Sequence, residues 1–439
     1  EVKGVDISME KAWDITRGSD NITIAVIDDG FSEHHDFRNG SIIKTIDYIG
    51  ETVDSPVVDY DCTHPTADSL GHGYACSGLI LAEHNDTGIA GIAPECELIF
   101  IKVVDDNDNW AGPEEMGGAL IRAAQEGANV ISCSWGDHTG TGWPAVTKAL
   151  DTITNPAYMG YSCAVFFASG NSSSWHVASP ANLPTTLAVG ATDSIDTKWW
   201  YSQYSGSEIA DSTLDVMAPS GNVPHWIDIY WPLDSALVGS IVTMDRPGDW
   251  GYNTYNYEPP YLPYSFIAAP PWFLIGDSLG MEYFGGFGGT SAACPQVAGI
   301  AALVMSRKPA LKDSNYVVYD IIRNSSRDQV GPSTGYQPDT PGWDPYYGYG
   351  RVDAYRALLS VIRGDVNNDG TLNLLDITDL IAALYNTGDP PAPDWRVGDA
   401  NCNGVVNILD VTFLTAYLYK GGSEPQNCFI YDYVQFPDL

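Results

Sequence analysis

Residues 22–30 read ITIAVIDDG, an unbroken run of β-branched and small side chains that stops on two acids and a glycine. A run without polar alternation reads as a strand buried on both faces, the kind found in a parallel sheet covered by helices. An Asp at the carboxyl end of that strand stands where open α/β sheets place their ligands. Outward from it, residues 98–103, 129–133 and 164–168 repeat the pattern and also read as buried strands. Between them, 114–126 has helical apolar spacing with acids in its first turn, where the helix dipole favours them. Small-residue helices are expected over 74–82 and 291–305, and a last one over 352–362. The fold class is therefore α/β, a parallel sheet flanked by helices. From 193 to 289 the rhythm breaks into Gly, Pro and aromatic residues, richest over 257–283, which we read as loops and short strands elaborating the core.

Twenty Lys and Arg stand against 56 Asp and Glu among 439 residues, for a net charge of −36. Such a field repels phosphate backbones and anionic membranes and attracts divalent cations, so nucleic acid is excluded as an expected partner. With 44% apolar residues the chain can bury a full core, which excludes intrinsic disorder. No apolar run reaches the ~20 residues of a membrane helix, and Glu1 opens without a basic and apolar leader. The expectation is a processed, secreted chain without a transmembrane segment. Cys76, Cys133, Cys163 and Cys294 sit in apolar or small-residue runs and read as buried thiols, whereas Cys62, Cys96, Cys402 and Cys428 lie in loop-like sequence. In an oxidising compartment Cys402 with Cys428 is the favoured pair, because both flank one small C-terminal unit.

That unit is an internal repeat. Asp365, Asn367, Asp369, Gly370, Asn373 and Asp376 recur 34 residues later as Asp399, Asn401, Asn403, Gly404, Asn407 and Asp410, each copy leading into an amphipathic helix. Oxygen-bearing side chains fall at positions 1, 3, 5, 9 and 12, Thr371 and Val405 hold position 7, and Gly at position 6 permits the sharp turn. Calcium, an oxygen-seeking ion, needs this arrangement. The duplicated loop and helix resembles a dockerin, which implies a small all-α calcium module whose partner is a cohesin-type scaffold. Asp rather than Glu at position 12 departs from an EF-hand, and Asn403 in place of Asp implies a weaker second site. Leu374 with Leu375, and Ile408 with Leu409, are apolar pairs that could face a cohesin or the chain's own catalytic domain. Gly364 follows the preceding helix without a Pro/Ser-rich linker, which argues for rigid packing.

The chemistry-bearing residues lie upstream. Asp28 ends the first strand, His72 is flanked by Gly71 and Gly73, Asn171 follows the 164–168 strand, and Ser291 opens a helix whose positive end favours a nucleophile that builds an oxyanion. A Ser hydroxyl is a weak nucleophile near neutral pH unless an imidazole takes its proton, and the imidazole needs a carboxylate to hold its tautomer. In the order Asp, His, Asn, Ser, and with GIAGIAP at 88–94, LDVMAP at 214–219, GTSAACPQVAG at 289–299 and GYGRVDA at 348–354, residues 5–358 resemble a subtilase. The resemblance implies a subtilisin-like fold and a serine endopeptidase. Ser291 would be the nucleophile, His72 the base, Asp28 its partner, and Asn171 with the Ser291 N–H the oxyanion hole. Ser134, Trp135 and Gly136 with Ala168, Ser169 and Gly170 match the family's substrate-binding walls. Asp36 and Asn85 match a calcium site, with carbonyls of Glu83, Thr87 and Ile89 as companions. The Asp28-Asp29-Gly30 and Ser134-Trp135-Gly136 variants look kexin-like, which implies that Asp29 contacts a basic substrate residue. His138 and Thr139 depart from that branch, as do Tyr74 and Ala75 from the usual residues after His-Gly.

The expected domains are a peptidase over 1–362 carrying the 257–283 insertion, the calcium module over 363–422 and a tail over 423–439. The expected function is a secreted, calcium-stabilised serine endopeptidase. The alternative is an assembly protein on the same fold, whose aromatic insertion and tail make polymer, scaffold or self-association contacts. The intact Asp28, His72, Asn171 and Ser291 favour the enzyme.

Overall fold

The computed structural model describes residues 6–31, 34–49, 71–105, 109–137, 142–206, 213–221, 241–245, 282–327, 342–385 and 390–425. Residues 257–281 of the 257–283 insertion, Cys62, Cys428, His138 and Thr139 lie outside them. A short helix α1 (Met9–Trp13) precedes β1 (Thr23–Asp28), β2 (Ile42–Asp47), α2 (His72–Leu81), β3 (Glu97–Lys102), α3 (Pro113–Gln125) and β4 (Val130–Cys133). Then come α4 (Pro144–Ile153), α5 (Pro156–Met159), β5 (Ala164–Ala168), β6 (Leu187–Thr192), β7 (Val216–Pro219), β8 (Ile241–Met244) and β9 (Tyr283–Phe287). The helices α6 (Gly289–Arg307), α7 (Asn315–Ser325), α8 (Ala354–Val361), α9 (Leu374–Tyr385) and α10 (Ile408–Lys420) follow.

Seven parallel strands in the order β2-β3-β1-β4-β5-β6-β7 form the main sheet, while β8 and β9 pair antiparallel apart from it. β1 is sandwiched between β3 and β4, with Asp28 opposite Lys102 and Val26 opposite Ser132. Its alternate side chains serve two layers. Ile22, Ile24 and Val26 pack with α2 and α6 residues such as Ile80 and Val297, whereas Ala25 and Ile27 pack with Leu120 of α3 and Leu150 of α4. Both faces are thus covered, which is why the run in β1 shows no polar alternation. The strand order reverses beside β1, and the carboxyl ends of β1, β4 and β5 open there.

Three strands of the sheet are absent from the sequence reading. β2 is an edge strand with one buried residue and Ile43 44% exposed, so it lacks the apolar run. β6 is rich in Ala and Gly because Gly190 lies against the Met217 side chain, where a Cβ would come within 2.5 Å of its sulfur. β7, in the LDVMAP stretch, is a short run that ends on Pro219.

α6 is the one helix among the described residues long and apolar enough to cross a membrane, and 94% of that span is buried inside the fold. It is the central core helix, buried from Gly289 through Met305, and each large side chain such as Leu303 contributes roughly 1.5–3 kcal/mol by leaving water. Cys76, Cys96, Cys133, Cys163 and Cys294 are buried free thiols, and Cys96 lies, as expected, in a loop, one residue before β3. Cys402 is disulfide-bonded.

The C-terminal repeat has its own small core of Val366, Ile377, Leu380, Ala400, Val411 and Leu414. It is not tethered loosely. Val397 joins the main core, the Tyr355 hydroxyl donates to Asp394 at 3.2 Å, Lys308 pairs with Glu424 at 2.8 Å, and Arg307 at the end of α6 reaches Asp365 and Asn368 at 2.5 and 2.8 Å.

Candidate active site and calcium loops

Asp28 ends β1 fully buried, and its Oδ1 accepts from the Asp29 N–H at 2.8 Å and meets His72 Nδ1 at 2.9 Å. His72 is the first residue of α2 rather than a residue before it, since Gly71 takes a left-handed turn (φ 75°) that only glycine adopts cheaply. Gly73 permits the close approach: a Cβ there would lie 2.5 Å from Asp28 Cβ and 2.7 Å from Phe100 Cζ. Burial favours the neutral His72 ring, yet the adjacent Asp28 charge outweighs it and raises the imidazole well above its ordinary 6.5. Asp29 is pushed up to about 6 by burial and by Asp28, against the pull of His72 and two backbone N–H bonds.

Ser291 lies in the first turn of α6, where its Oγ donates to the Ser134 carbonyl at 3.3 Å while Ser134 Oγ donates to the Ser291 carbonyl at 3.0 Å. The reciprocal pair ties the end of β4 to the head of α6. Asn171 follows β5, and its Oδ1 accepts from both the N–H and the hydroxyl of Thr290, at 2.8 and 2.9 Å. That engagement fixes the amide orientation and leaves Nδ2 as the outward donor. Thr290 is the residue that sequence reasoning missed, since a hydroxyl beside a Ser carries no local sign of gripping an amide far away in the chain.

Of the expected substrate walls, Trp135 Nε1 donates to the Ile27 carbonyl at 2.8 Å, and Gly136 lies so close to Ser179 that a Cβ would sit 3.0 Å from its carbonyl. Ala168 ends β5, Ser169 Oγ donates to the Gln203 carbonyl at 3.1 Å, and Gly170 N–H donates to Thr290 Oγ1 at 3.2 Å. Asp36 and Asn85 are brought together, with Asn85 Nδ2 3.5 Å from Asp36 Oδ1, but Asn85 Oδ1 accepts from the Thr87 N–H at 2.7 Å instead of turning toward Asp36.

The two C-terminal loops repeat most of each other's bonds. In the first, Asp365 accepts from the N–H of Asp369 and Gly370 at 3.0 and 2.9 Å; in the second, Asp399 accepts from Asn403 and Gly404 at 3.1 and 3.0 Å. Asp376 accepts from Asn367 and Asn373 at 3.4 and 2.8 Å, as Asp410 accepts from Asn401 and Asn407 at 3.1 and 2.8 Å, and Asp376 alone of the two also accepts from the residue before position 3, Val366, at 2.8 Å. Asn367 and Asn401 at position 3 also accept from the position-5 N–H groups, both at 3.1 Å. Asp376 and Asp410 are fully buried and raised above the usual carboxylate range by that burial, with the charges of Asp365 and Asp399 adding to it. Buried carboxylates converging on a Gly turn fit a calcium ion, which would relieve their repulsion. Leu374, Leu375, Ile408 and Leu409 are 47–57% exposed.

A parallel α/β sheet presenting Asp28, His72, Asn171 and Ser291 around its reversal point places the chain in a known class. The chain belongs to the subtilase family, which residues 19–350 match, and residues 363–419 match the dockerin type I domain. It is 31% identical over 406 residues to the calcium-dependent protease of Trichormus variabilis, covering 87% of this chain and 53% of that protein. It is 27% identical to thermitase of Thermoactinomyces vulgaris, covering 80% and 93% of the two chains. The chain thus spans about half the length of the calcium-dependent proteases it matches, at 53%. Among solved structures, a lanthipeptide protease shares the fold with a TM-score of 0.56 at 25% identity, covering 79% of this chain and 90% of that one.

Proposed function

We propose that the protein is a secreted, calcium-stabilised serine endopeptidase. The observation that carries this reading is the 2.9 Å Asp28–His72 pair set beside the head of α6, where Ser291 stands. In the reactive complex a χ1 turn of Ser291 would exchange its bond to the Ser134 carbonyl for one to His72 Nε2, the ring nitrogen that does not face Asp28. His72 then takes the hydroxyl proton as Oγ attacks the scissile carbonyl, and Asp28 stabilises the imidazolium. Asn171 Nδ2 and the Ser291 N–H receive the oxyanion, and His72 passes the proton to the leaving amine. Water repeats the cycle to release the acyl group. An extended substrate pairs as an added strand with 134–136 and 168–170, so unfolded or loop segments are the substrate class.

Hydrolysis of an unfolded protein substrate tests the reading, with Asn171→Ala as the control. That variant should bind peptide with nearly unchanged KM while kcat falls about 10²–10³-fold, the range known for a lost oxyanion donor in a subtilisin. A kcat within twofold of wild type would remove Asn171 from the oxyanion hole.

The raised His72 fixes a sign for pH. The base must be neutral, so kcat/KM should rise with pH along a limb whose midpoint lies above 6.5, and Asp28→Asn should move that midpoint down. Stability runs the other way. The His72–Asp28 pair contributes fully below 6.5, the ordinary value, and loses that contribution as pH rises through the folded-state value. A pH–rate profile beside a pH–melting series checks both signs.

The C-terminal module extends the proposal. Exposed Leu374, Leu375, Ile408 and Leu409 support a cohesin-type domain as its partner, and the paired loops support calcium as the ion that shapes that surface.

A further inference from the structure

The geometry points to Asp29 as a positioning residue for His72, gripping the backbone of the same histidine whose ring Asp28 holds. Asp29 Oδ2 accepts from the His72 N–H at 2.9 Å and Oδ1 from the Gly73 N–H at 2.7 Å. The first N–H groups of a helix have no partner inside it, and the residue before α2 is Gly71, which has no side chain to offer. A carboxylate from the end of β1 caps the helix instead, at the positive end of its dipole. The last residue of β1 and the residue after it therefore hold ring and main chain of His72 together. With Gly73 pressed onto Asp28 and Phe100, the first turn of α2 has no room to slide. The kexin-like reading gives Asp29 a different task, contact with a basic substrate residue, which peptides differing by Lys or Leu separate from helix capping.

The inference rests on the peptidase reading, and one experiment separates the two. Asp29→Ala removes both acceptors, while Asp29→Asn removes the charge and keeps one acceptor. The full-length chain, wild type and each variant, is assayed on two peptides that differ only by Lys or Leu beside the scissile residue, and His72 is titrated by NMR. The expected result is a kcat lowered about 10–100-fold by Ala on both peptides, with KM within about twofold and Asn recovering part of the loss. His72 should also titrate lower in Ala than in Asn, a difference that charge removal alone does not produce. A rise in KM for the Lys peptide alone, with kcat intact, would overturn the inference in favour of substrate recognition. Should the Ala variant fail to fold, Asn is decisive: a kcat loss on both peptides supports positioning, and a loss on the Lys peptide alone overturns it. Hydrolysis of neither peptide by the folded, calcium-loaded wild type is a failure of the peptidase reading. In that event the NMR arm still decides, since equal His72 values in Ala and Asn would reject positioning.

Discussion

Ser291→Ala should abolish labelling by a fluorophosphonate and lower kcat by a factor on the order of 10⁶, the loss recorded for the nucleophile of a subtilisin. The expectation follows from the site's division of labour. The probe reports an activated hydroxyl, and activation here requires the Asp28–His72 pair to draw the proton from Ser291 Oγ, while Asn171 Nδ2 and the Ser291 N–H hold the probe's phosphoryl oxygen. The substitution removes that oxygen without disturbing the scaffold, because the Ser134 hydroxyl bonds to the Ser291 main chain and keeps β4 tied to α6. Melting temperature should therefore stay near wild type while labelling vanishes. Labelling that survives the substitution would place the nucleophile elsewhere. A calcium-loaded wild type that takes no label and cleaves no peptide would favour the assembly reading.

Removing calcium should unfold the C-terminal module. Each loop draws carboxylates inward, and Asp376 and Asp410 are buried away from bulk solvent. At free calcium 100-fold above its dissociation constant, each site adds about 2.7 kcal/mol, so two sites add roughly 5. A unit of that size holds only about 3–9 kcal/mol in total. Chelation thus takes away most of what keeps it folded. Scanning calorimetry in EDTA should show loss of a separate transition that calcium restores, together with loss of binding to a cohesin-type domain. Asp365→Ala should weaken the response and Asp399→Ala should weaken it less, since the Asn403 loop begins with the lower affinity. An unchanged calorimetric trace in EDTA would remove calcium from the structural role.

Much of this was readable from local chemistry. β1 announced itself because both of its faces are covered, and the duplicated loops because each ligand sits at a set distance from its turn. His72, by contrast, could be placed only approximately, since the start of α2 is set by a carboxylate 43 residues earlier in the chain. The Thr290 grip on Asn171 and the Arg307 contact with Asp365 span 119 and 58 residues, and neither leaves a pattern in its own neighbourhood. β2 escaped for another reason: an edge strand needs no apolar run. What the sequence hides here is contact between distant segments, and those contacts aim the reactive groups.

The seat of the C-terminal module on the catalytic domain decides how the enzyme would work once captured. A protease on a slack leash sweeps a sphere and cuts whatever drifts into reach. Here Val397, Asp394, Glu424 and Asp365 clamp the module to α6, α8 and their flanks, so a partner gripping the exposed leucines would also set the bearing of the cleft. Such an enzyme behaves as a fixed turret. The chains it cuts would be those delivered along one line of approach, and its selectivity would come partly from the orientation of the scaffold that holds it.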